Sequence, residues 1–207
     1  QFVSLFFILL KILNNKRIKK ITLDHLKIKF FFLRNIFFQS MPITIAILGY
    51  SVAATIVFTY IGLFGEYAVA GYGSATRIEQ VLLLPVLGIN TAIISIIAQN
   101  IGAKYFDRVK QTYYTSIQYG FFIMLIAGII IFISADIVPK FFSSNSDVIK
   151  HGSMYLKISA FILPSYPIFF LSNGFFMALK KSEKAMLNNI IRNVVVQIFS
   201  FYIAKYF

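Results

Sequence analysis

Glu79 is the acidic residue of this sequence with the clearest capacity for chemistry, because a long apolar stretch surrounds it. A carboxylate inside a bilayer is costly, so it is expected to face the interior of a helix bundle or a water-filled cavity. At about 100° per residue, Tyr72, Thr76 and Asn90 share its helical face, whereas Arg77 lies nearly opposite. Such a face predicts a site at which Glu79 takes up a proton or a cation, or binds substrate. A glutamate that only hydrogen-bonds to a neighbouring helix is the alternative.

Motifs for catalysis or cofactor binding are missing from the sequence. There is no Cys, and His25 and His151 are too few for a His-based metal cluster. The run Gly71-x-Gly73-x-x-Thr76 resembles a dinucleotide-binding loop but lacks the third glycine, so its glycines are expected to serve close helix packing. The sequence therefore predicts a protein that is not an enzyme and that holds no metal or organic cofactor.

The composition indicates a membrane protein. Hydrophobic residues make up 58% of the 207 residues and charged residues only 13%, whereas about a quarter of the residues in a soluble domain are charged. Apolar stretches long enough to span a bilayer are predicted at 43–64, 68–98, 113–134, 152–179 and 185–207. The predicted fold is therefore an all-α, polytopic membrane helix bundle.

The pattern along the chain predicts three parts. Residues 1–13 are expected to be the end of a transmembrane helix, and residues 14–36 a basic amphipathic linker. Residues 37–207 are expected to form a transmembrane lobe of about five spans, the last one truncated. Because both termini fall within apolar runs, we expect the chain to be part of a longer membrane protein. Pro42 is predicted in the first turn of its span, where a missing N–H costs little.

Two pairs of residues are expected to interrupt the spans. The first pair is Pro85 with Gly88, and the second is Pro164 with Pro167. Transporters use such breaks to bend helices during gating and to expose backbone carbonyls. A static kink is the alternative at both places.

The net charge of +13 is distributed as a topology signal. The linker at 14–36, the loop around Arg108 and the turn around Lys181 are basic, whereas the alternate loops, which hold Glu66 and Ser144, are nearly balanced. The positive-inside rule places the basic segments in the cytoplasm. We therefore expect an integral protein of the bacterial inner (plasma) membrane, with its linker on anionic headgroups and with no nucleic-acid partner.

Several short motifs follow one another in a fixed order. Residues 77–80 read Arg-Ile-Glu-Gln, residues 84–85 read Leu-Pro, and residues 99–108 read Gln-Asn-Ile-Gly-Ala-Lys-Tyr-Phe-Asp-Arg. This order resembles the start of the carboxy-terminal half of the multidrug and toxic compound extrusion (MATE) family. The resemblance covers roughly residues 35–207.

The resemblance implies a twelve-helix antiporter made of two six-helix lobes, of which this chain would hold one incomplete lobe. The implied activity is secondary active efflux of organic cations or amphipathic drugs against H⁺ or Na⁺ as the coupling ion. The implied partners are the small-molecule substrate, the lipid bilayer and the remaining amino-terminal lobe. Glu79 is the intramembrane acid to which a coupling role is transferred.

Two other functions stay open at this point. A lipid-linked oligosaccharide flippase of related architecture would be expected to carry more basic cavity residues than Arg77, Lys157 and Arg192, which lie near or within spans. A membrane-anchored scaffold, whose linker recruits partners, would have little need of the polar face around Glu79 or of paired helix breaks.

Overall fold

The computed structural model of the chain describes Phe6, Lys11 and residues 30–195. The predictions for residues 1–13, for most of the linker at 14–36 and for the end of the last span therefore lie outside the described residues. The chain divides into two compact units, Gln1–Phe38 and Gln39–Phe207. The described stretch of the first unit, residues 30–38, is helical.

The described part of the chain is helical and contains no strand, which confirms the all-α prediction. Long apolar runs explain this choice, since a helix satisfies every backbone N–H and C=O group within its own segment in the absence of water. Its helices are α1 (Phe30–Gly62), α2 (Glu66–Gly102), α3 (Phe106–Ser134), α4 (Ser146–Ile162), α5 (Tyr166–Ala178) and α6 (Ser182–Ile190). Short turns of 3₁₀-helix occupy Val138–Phe141 and Leu163–Ser165, and one turn of π-helix, Ile191–Val195, follows α6.

Within the described residues, four helical segments are long and apolar enough to cross a bilayer. They are α1, α2, α3 and the combined stretch Ser146–Ala178, which includes α4 and α5. The protein is thus an integral membrane protein of the helical type.

Pro42 and Pro85 both lie in the interior of a helix. The prediction that Pro42 begins a span is wrong, because α1 starts at Phe30 and continues through it. The interruption expected at Pro85 and Gly88 is likewise absent, since α2 is continuous from Glu66 to Gly102. An interior proline removes one backbone hydrogen bond, whereas ending the helix there would leave several groups unsatisfied. In a membrane segment the continuous helix is the less costly outcome.

The break predicted at Pro164 and Pro167 is present. α4 ends at Ile162, a 3₁₀ turn carries Pro164, and Pro167 lies in the first turn of α5. Pro164 leaves the carbonyl of Ala160 without its usual helical donor. That carbonyl lies against Gly128 of α3, where a Cβ atom would come within 2.6 Å of it. A glycine on the neighbouring helix therefore makes room for the break.

α2 lies at the centre of the bundle and packs against α3, α4 and α5. Its Val86, Ile93 and Ile97 are buried in one cluster with Met124 of α3 and Leu171 of α5. Bulky aliphatic side chains close this part of the bundle and leave the polar residues nearer the amino-terminal half of α2 to line a cavity.

Candidate functional site

Glu79 is buried in the bundle, with only 8% of its surface exposed. The hydroxyl of Tyr155 on α4 donates a hydrogen bond of 2.6 Å to Oε2, and the hydroxyl of Tyr166 on α5 donates one of 2.5 Å to Oε1. Each carboxylate oxygen therefore has its own phenolic donor. Hydrogen bonds to a charged acceptor are short and strong, so this arrangement offsets part of the cost of a buried carboxylate.

A close crossing of α2 and α4 brings Tyr155 to Glu79. At Gly71, an added Cβ atom would lie 2.8 Å from the carbonyl oxygen of Val148 and 2.9 Å from the nitrogen of Gly152. The two backbones meet here because neither glycine has a side chain, which confirms the packing role expected of Gly71. Gly73, by contrast, has no such neighbour within 4 Å.

Tyr72, the residue after Gly71 on α2, contacts Tyr155 through its ring. Its ring packs edge-on against Tyr155, with ring centroids 5.1 Å apart, and against Phe58 of α1 at the same distance. Edge-to-face contacts of this kind fix ring orientation. The orientation of Tyr155, and with it the donor to Glu79, is therefore set by packing as well as by the hydrogen bond.

A cavity of about 610 Å³ opens beside Glu79. Residues from α1, α2, α4, α5, α6 and the π-helical turn line it. Its volume falls within the range of small-molecule sites, and a mostly apolar wall with few polar groups is typical of such sites. Among the lining residues are Tyr50, Tyr72, Thr76, Glu79, Asn189 and Arg192.

Arg192 is held by aromatic rings on this wall. Its guanidinium carbon lies 4.2 Å from the ring centroid of Phe169, 4.9 Å from that of Tyr166 and 5.7 Å from that of Phe170. All three rings belong to the first turns of α5. The residue itself lies in the π-helical turn, and such turns frequently mark functional sites.

The sequence-predicted site residues do not all reach this cavity. Tyr72, Thr76 and Glu79 line it together. Asn90 shares their helical face but lies 11 residues further along α2, about 16 Å at 1.5 Å per residue. There its side chain packs against Gly174 of α5 instead, and its Oδ1 atom is buried without a hydrogen-bond partner among the described residues.

None of the four residues expected at helix breaks lines the cavity, but two of them lie next to a residue that does. Pro85 is exposed within α2, and Gly88 has no close neighbour at its Cβ position. Pro164 and Pro167 belong to the break between α4 and α5, directly beside Tyr166. They therefore influence where Tyr166 lies without forming the cavity themselves.

Tyr155, Tyr166 and Arg192 were not singled out as site residues from the sequence. Tyr155 lies in the predicted span 152–179, and its hydroxyl donates to Glu79. One signal was available: Tyr155 and Tyr166 are 11 residues apart, close to three helical turns, so they share one side of the apolar stretch. Tyrosines that share one side of an apolar stretch are therefore candidate hydrogen-bond donors to a buried carboxylate.

A second polar cluster connects the end of α3 to α4. Lys157 forms an ion pair with Asp136 at 2.8 Å, and Ser153 donates a hydrogen bond to the same carboxylate. The Lys157 ammonium and the Ser153 hydroxyl hold the pKa of the Asp136 carboxyl below its usual value of 3.8. This exposed cluster lies outside the cavity and ties the loop at Asp136 to α4.

Comparison with known proteins places this arrangement in a family. A family model described as MatE matches residues 42–203. The chain belongs to the MatE family. It is 26% identical over 150 residues to the Bacillus subtilis protein named "Probable multidrug resistance protein YpnP", which corresponds to 72% of this chain and 32% of that protein.

Two further relatives carry other names. "Multidrug export protein MepA" of Staphylococcus haemolyticus is 22% identical over 193 residues, 93% of this chain and 42% of the relative. "FAD transporter" of Shewanella oneidensis is 27% identical over 106 residues, 51% of this chain and 24% of the relative. The chain thus spans less than half the length of these curated MatE relatives.

Proposed function

We propose that the chain is the carboxy-terminal part of a secondary active multidrug efflux transporter. In this proposal organic cations or amphipathic drugs leave the cell in exchange for H⁺ or Na⁺. The observation that carries the proposal is the Glu79 carboxylate, held by Tyr155 and Tyr166 on the wall of a cavity at membrane depth. The names of YpnP and MepA, which refer to multidrug resistance and export, support the substrate class.

Glu79 would couple the ion to the substrate through its two oxygens. As a carboxylate it accepts both phenolic hydrogen bonds. When a proton on one oxygen is donated in a hydrogen bond to the tyrosine bound there, that tyrosine turns its own hydroxyl hydrogen away from Glu79. A Na⁺ ion would instead compete with a hydroxyl for the same lone pairs. A cationic drug in the cavity is favoured by the charged form and disfavoured once the ion is bound, which is the differential affinity that exchange requires.

The proposed arrangement in the cell follows from charge. The loops that contain Lys104 and Lys181 would be cytoplasmic, with Glu66 and Ser144 on the opposite side. The membrane would be the bacterial inner membrane, and the cytoplasmic linker would connect this lobe to an amino-terminal lobe that supplies the other wall of the cavity. The two lobes would alternate access to the cavity, as in other secondary transporters built from repeats.

The decisive experiment separates a coupling carboxylate from a structural one. Ion-driven efflux of a fluorescent organic cation is measured in vesicles that contain the full-length protein, normalised to protein amount. Glu79→Gln keeps the size and one acceptor oxygen but removes the charge, and we expect efflux to fall close to that of vesicles without an ion gradient. Glu79→Asp keeps the charge and is expected to retain more activity.

Glu66→Gln is the matched control, because Glu66 is an exposed acid at the start of the same helix. It should transport like the wild type. Wild-type efflux by Glu79→Gln, with Glu79→Asp as the weaker variant, would show that Glu79 only holds helices together.

A further inference from the structure

Arg192 lines the cavity as a cation that forms no ion pair with an acid among the described residues. The sequence has seven acidic residues, of which six are described and the seventh, Asp24, lies in the basic stretch 14–36. Among the described residues, no carboxylate forms an ion pair with Arg192. An arginine inside a membrane protein is costly and is normally paired or placed for function. Its positive charge is therefore left for something outside the described chain.

The three rings around Arg192 fix the guanidinium rather than neutralise it. Phe169, Tyr166 and Phe170 surround it at 4.2–5.7 Å from their centroids. Contact with ring faces stabilises a cation and restricts its orientation. The N–H donors of guanidinium lie in its plane, in a fork that matches two oxygens of a carboxylate or phosphate. One N–H donor reaches the Tyr166 hydroxyl, and the remaining donors of the fork are available to an anion.

Tyr166 also keeps the two charges of the cavity apart. Its hydroxyl donates to Glu79 and accepts a hydrogen bond from Arg192, whose guanidinium also contacts the ring, so the phenol lies between carboxylate and guanidinium. If the two side chains paired directly, each would cancel the other. Bridged by the Tyr166 hydroxyl, they form no direct ion pair, and both groups line the cavity.

From this geometry we propose that the cavity has a second subsite, at Arg192, that binds aromatic compounds carrying a carboxylate or phosphate group. The anionic group binds the guanidinium edge, and the aromatic ring packs along Phe169 and Phe170. The proposal rests on the proposed transport function and extends its substrates from organic cations to anionic amphipathic compounds. Binding of a proton or cation at Glu79 favours such a substrate, because it removes the repelling negative charge from the cavity.

The test uses two dyes that share one ring system and differ in charge. Fluorescein is anionic and rhodamine 123 is cationic, and both are built on xanthene. Binding of each dye to the purified full-length protein in detergent is measured by fluorescence anisotropy at pH 7.5 and constant ionic strength. No ion gradient is present, so this measurement can fail while coupled efflux through Glu79 succeeds, and the reverse.

Arg192→Gln is expected to raise the Kd for fluorescein by about tenfold or more, since charge-assisted hydrogen bonds are lost. The Kd for rhodamine 123 should stay the same or fall. Arg77→Gln is the matched control: Arg77 lies in the membrane span α2 but is exposed and away from the cavity lining. It should change neither Kd by more than about twofold, the scatter expected for a site without contact to the ligand.

Three results would overturn the proposal. They are the absence of saturable fluorescein binding to the wild type, equal fluorescein affinity of wild type and Arg192→Gln, and an equal loss of both dyes in Arg192→Gln. If the Gln variant does not fold, Arg192→Lys carries the test, because it keeps the charge and loses the planar fork. It should bind fluorescein about threefold or more weakly with rhodamine 123 unchanged, and wild-type affinity for fluorescein would contradict the subsite.

Discussion

Replacing Gly71 by alanine is expected to force α2 and α4 apart at the crossing that positions Tyr155. The new Cβ atom would lie 2.8 Å from the Cβ of His151 and 2.8 Å from the carbonyl oxygen of Val148. Contacts at these distances are well inside van der Waals range. Two of the three nearest atoms belong to the α4 backbone, so no single side chain can move out of the way.

The magnitude follows from two opposing effects. Overpacking in a well-packed core costs about 1–3 kcal/mol, and contact with backbone on the opposite helix places this case near 3 kcal/mol. Alanine in place of glycine within a helix returns about 1 kcal/mol of helix propensity. Gly71→Ala should therefore lower stability by about 2 kcal/mol, whereas Gly73→Ala, with no neighbour within 4 Å, should gain about 1 kcal/mol.

The two variants should differ by about 3 kcal/mol, which corresponds to at most roughly 6–12 °C in melting temperature, since 2–4 °C per kcal/mol holds for about 150–250 residues and the shift falls with chain length. The assay is thermal unfolding of the full-length protein in detergent, followed by the fraction that remains monodisperse after heating. Efflux by Gly71→Ala should also fall, because the 2.6 Å hydrogen bond from Tyr155 to Glu79 lengthens when the helices separate. Equal melting temperatures for the two alanine variants would refute the reasoning, since only one of them meets the opposite backbone.

Two predictions concern the loops. If Lys181 is cytoplasmic and Ser144 is on the outer side, an impermeant thiol reagent on intact cells should label a cysteine at position 144 and not one at position 181 of the full-length protein. The reverse pattern would overturn the orientation. Because the native pKa of Asp136 is lowered, its ion pair with Lys157 contributes stability above its usual pKa of 3.8 that is lost as pH falls through the native value. The wild type should therefore melt above Asp136→Asn at pH 7, and this difference should shrink below about pH 4; a difference independent of pH would contradict the ion pair.

Hydropathy was sufficient to locate the four spans within the described residues, because a bilayer leaves helix as the stable form of an uncharged stretch of this length. It was not sufficient to locate the helix interruptions. Pro42, Pro85 and Pro164 have the same local chemistry, but only Pro164 coincides with a break. Pro167 removes a second donor close by, and Gly128 on another helix makes room for the freed carbonyl of Ala160.

The site was predictable to the extent that it lies on one helix. The wheel around Glu79 grouped Tyr72 and Thr76 correctly because they are within two turns of it. Asn90 shares this helical face but lies further along α2, beyond the end of the cavity. Where the cavity ends depends on the bulky side chains of α3 and α5 that close the bundle. Arg192 could not be placed from sequence, since its location depends on the π-helical turn and on rings from another helix.

Because of the 3₁₀ turn at Leu163–Ser165, substitutions outside the cavity can affect the hydrogen bonds to Glu79. Tyr155 lies on one side of this turn and Tyr166 on the other, and both donate to one carboxylate. The angle between α4 and α5 therefore sets the distance between the hydroxyls of Tyr155 and Tyr166. Both hydroxyls must reach the two oxygens of one carboxylate, that of Glu79. A substitution at Pro164 changes that angle, although Pro164 borders a separate groove with Gly128 and Phe161 rather than the cavity. Residues that do not line the cavity can in this way change the hydrogen bonding of Glu79, while every residue of the cavity wall stays the same.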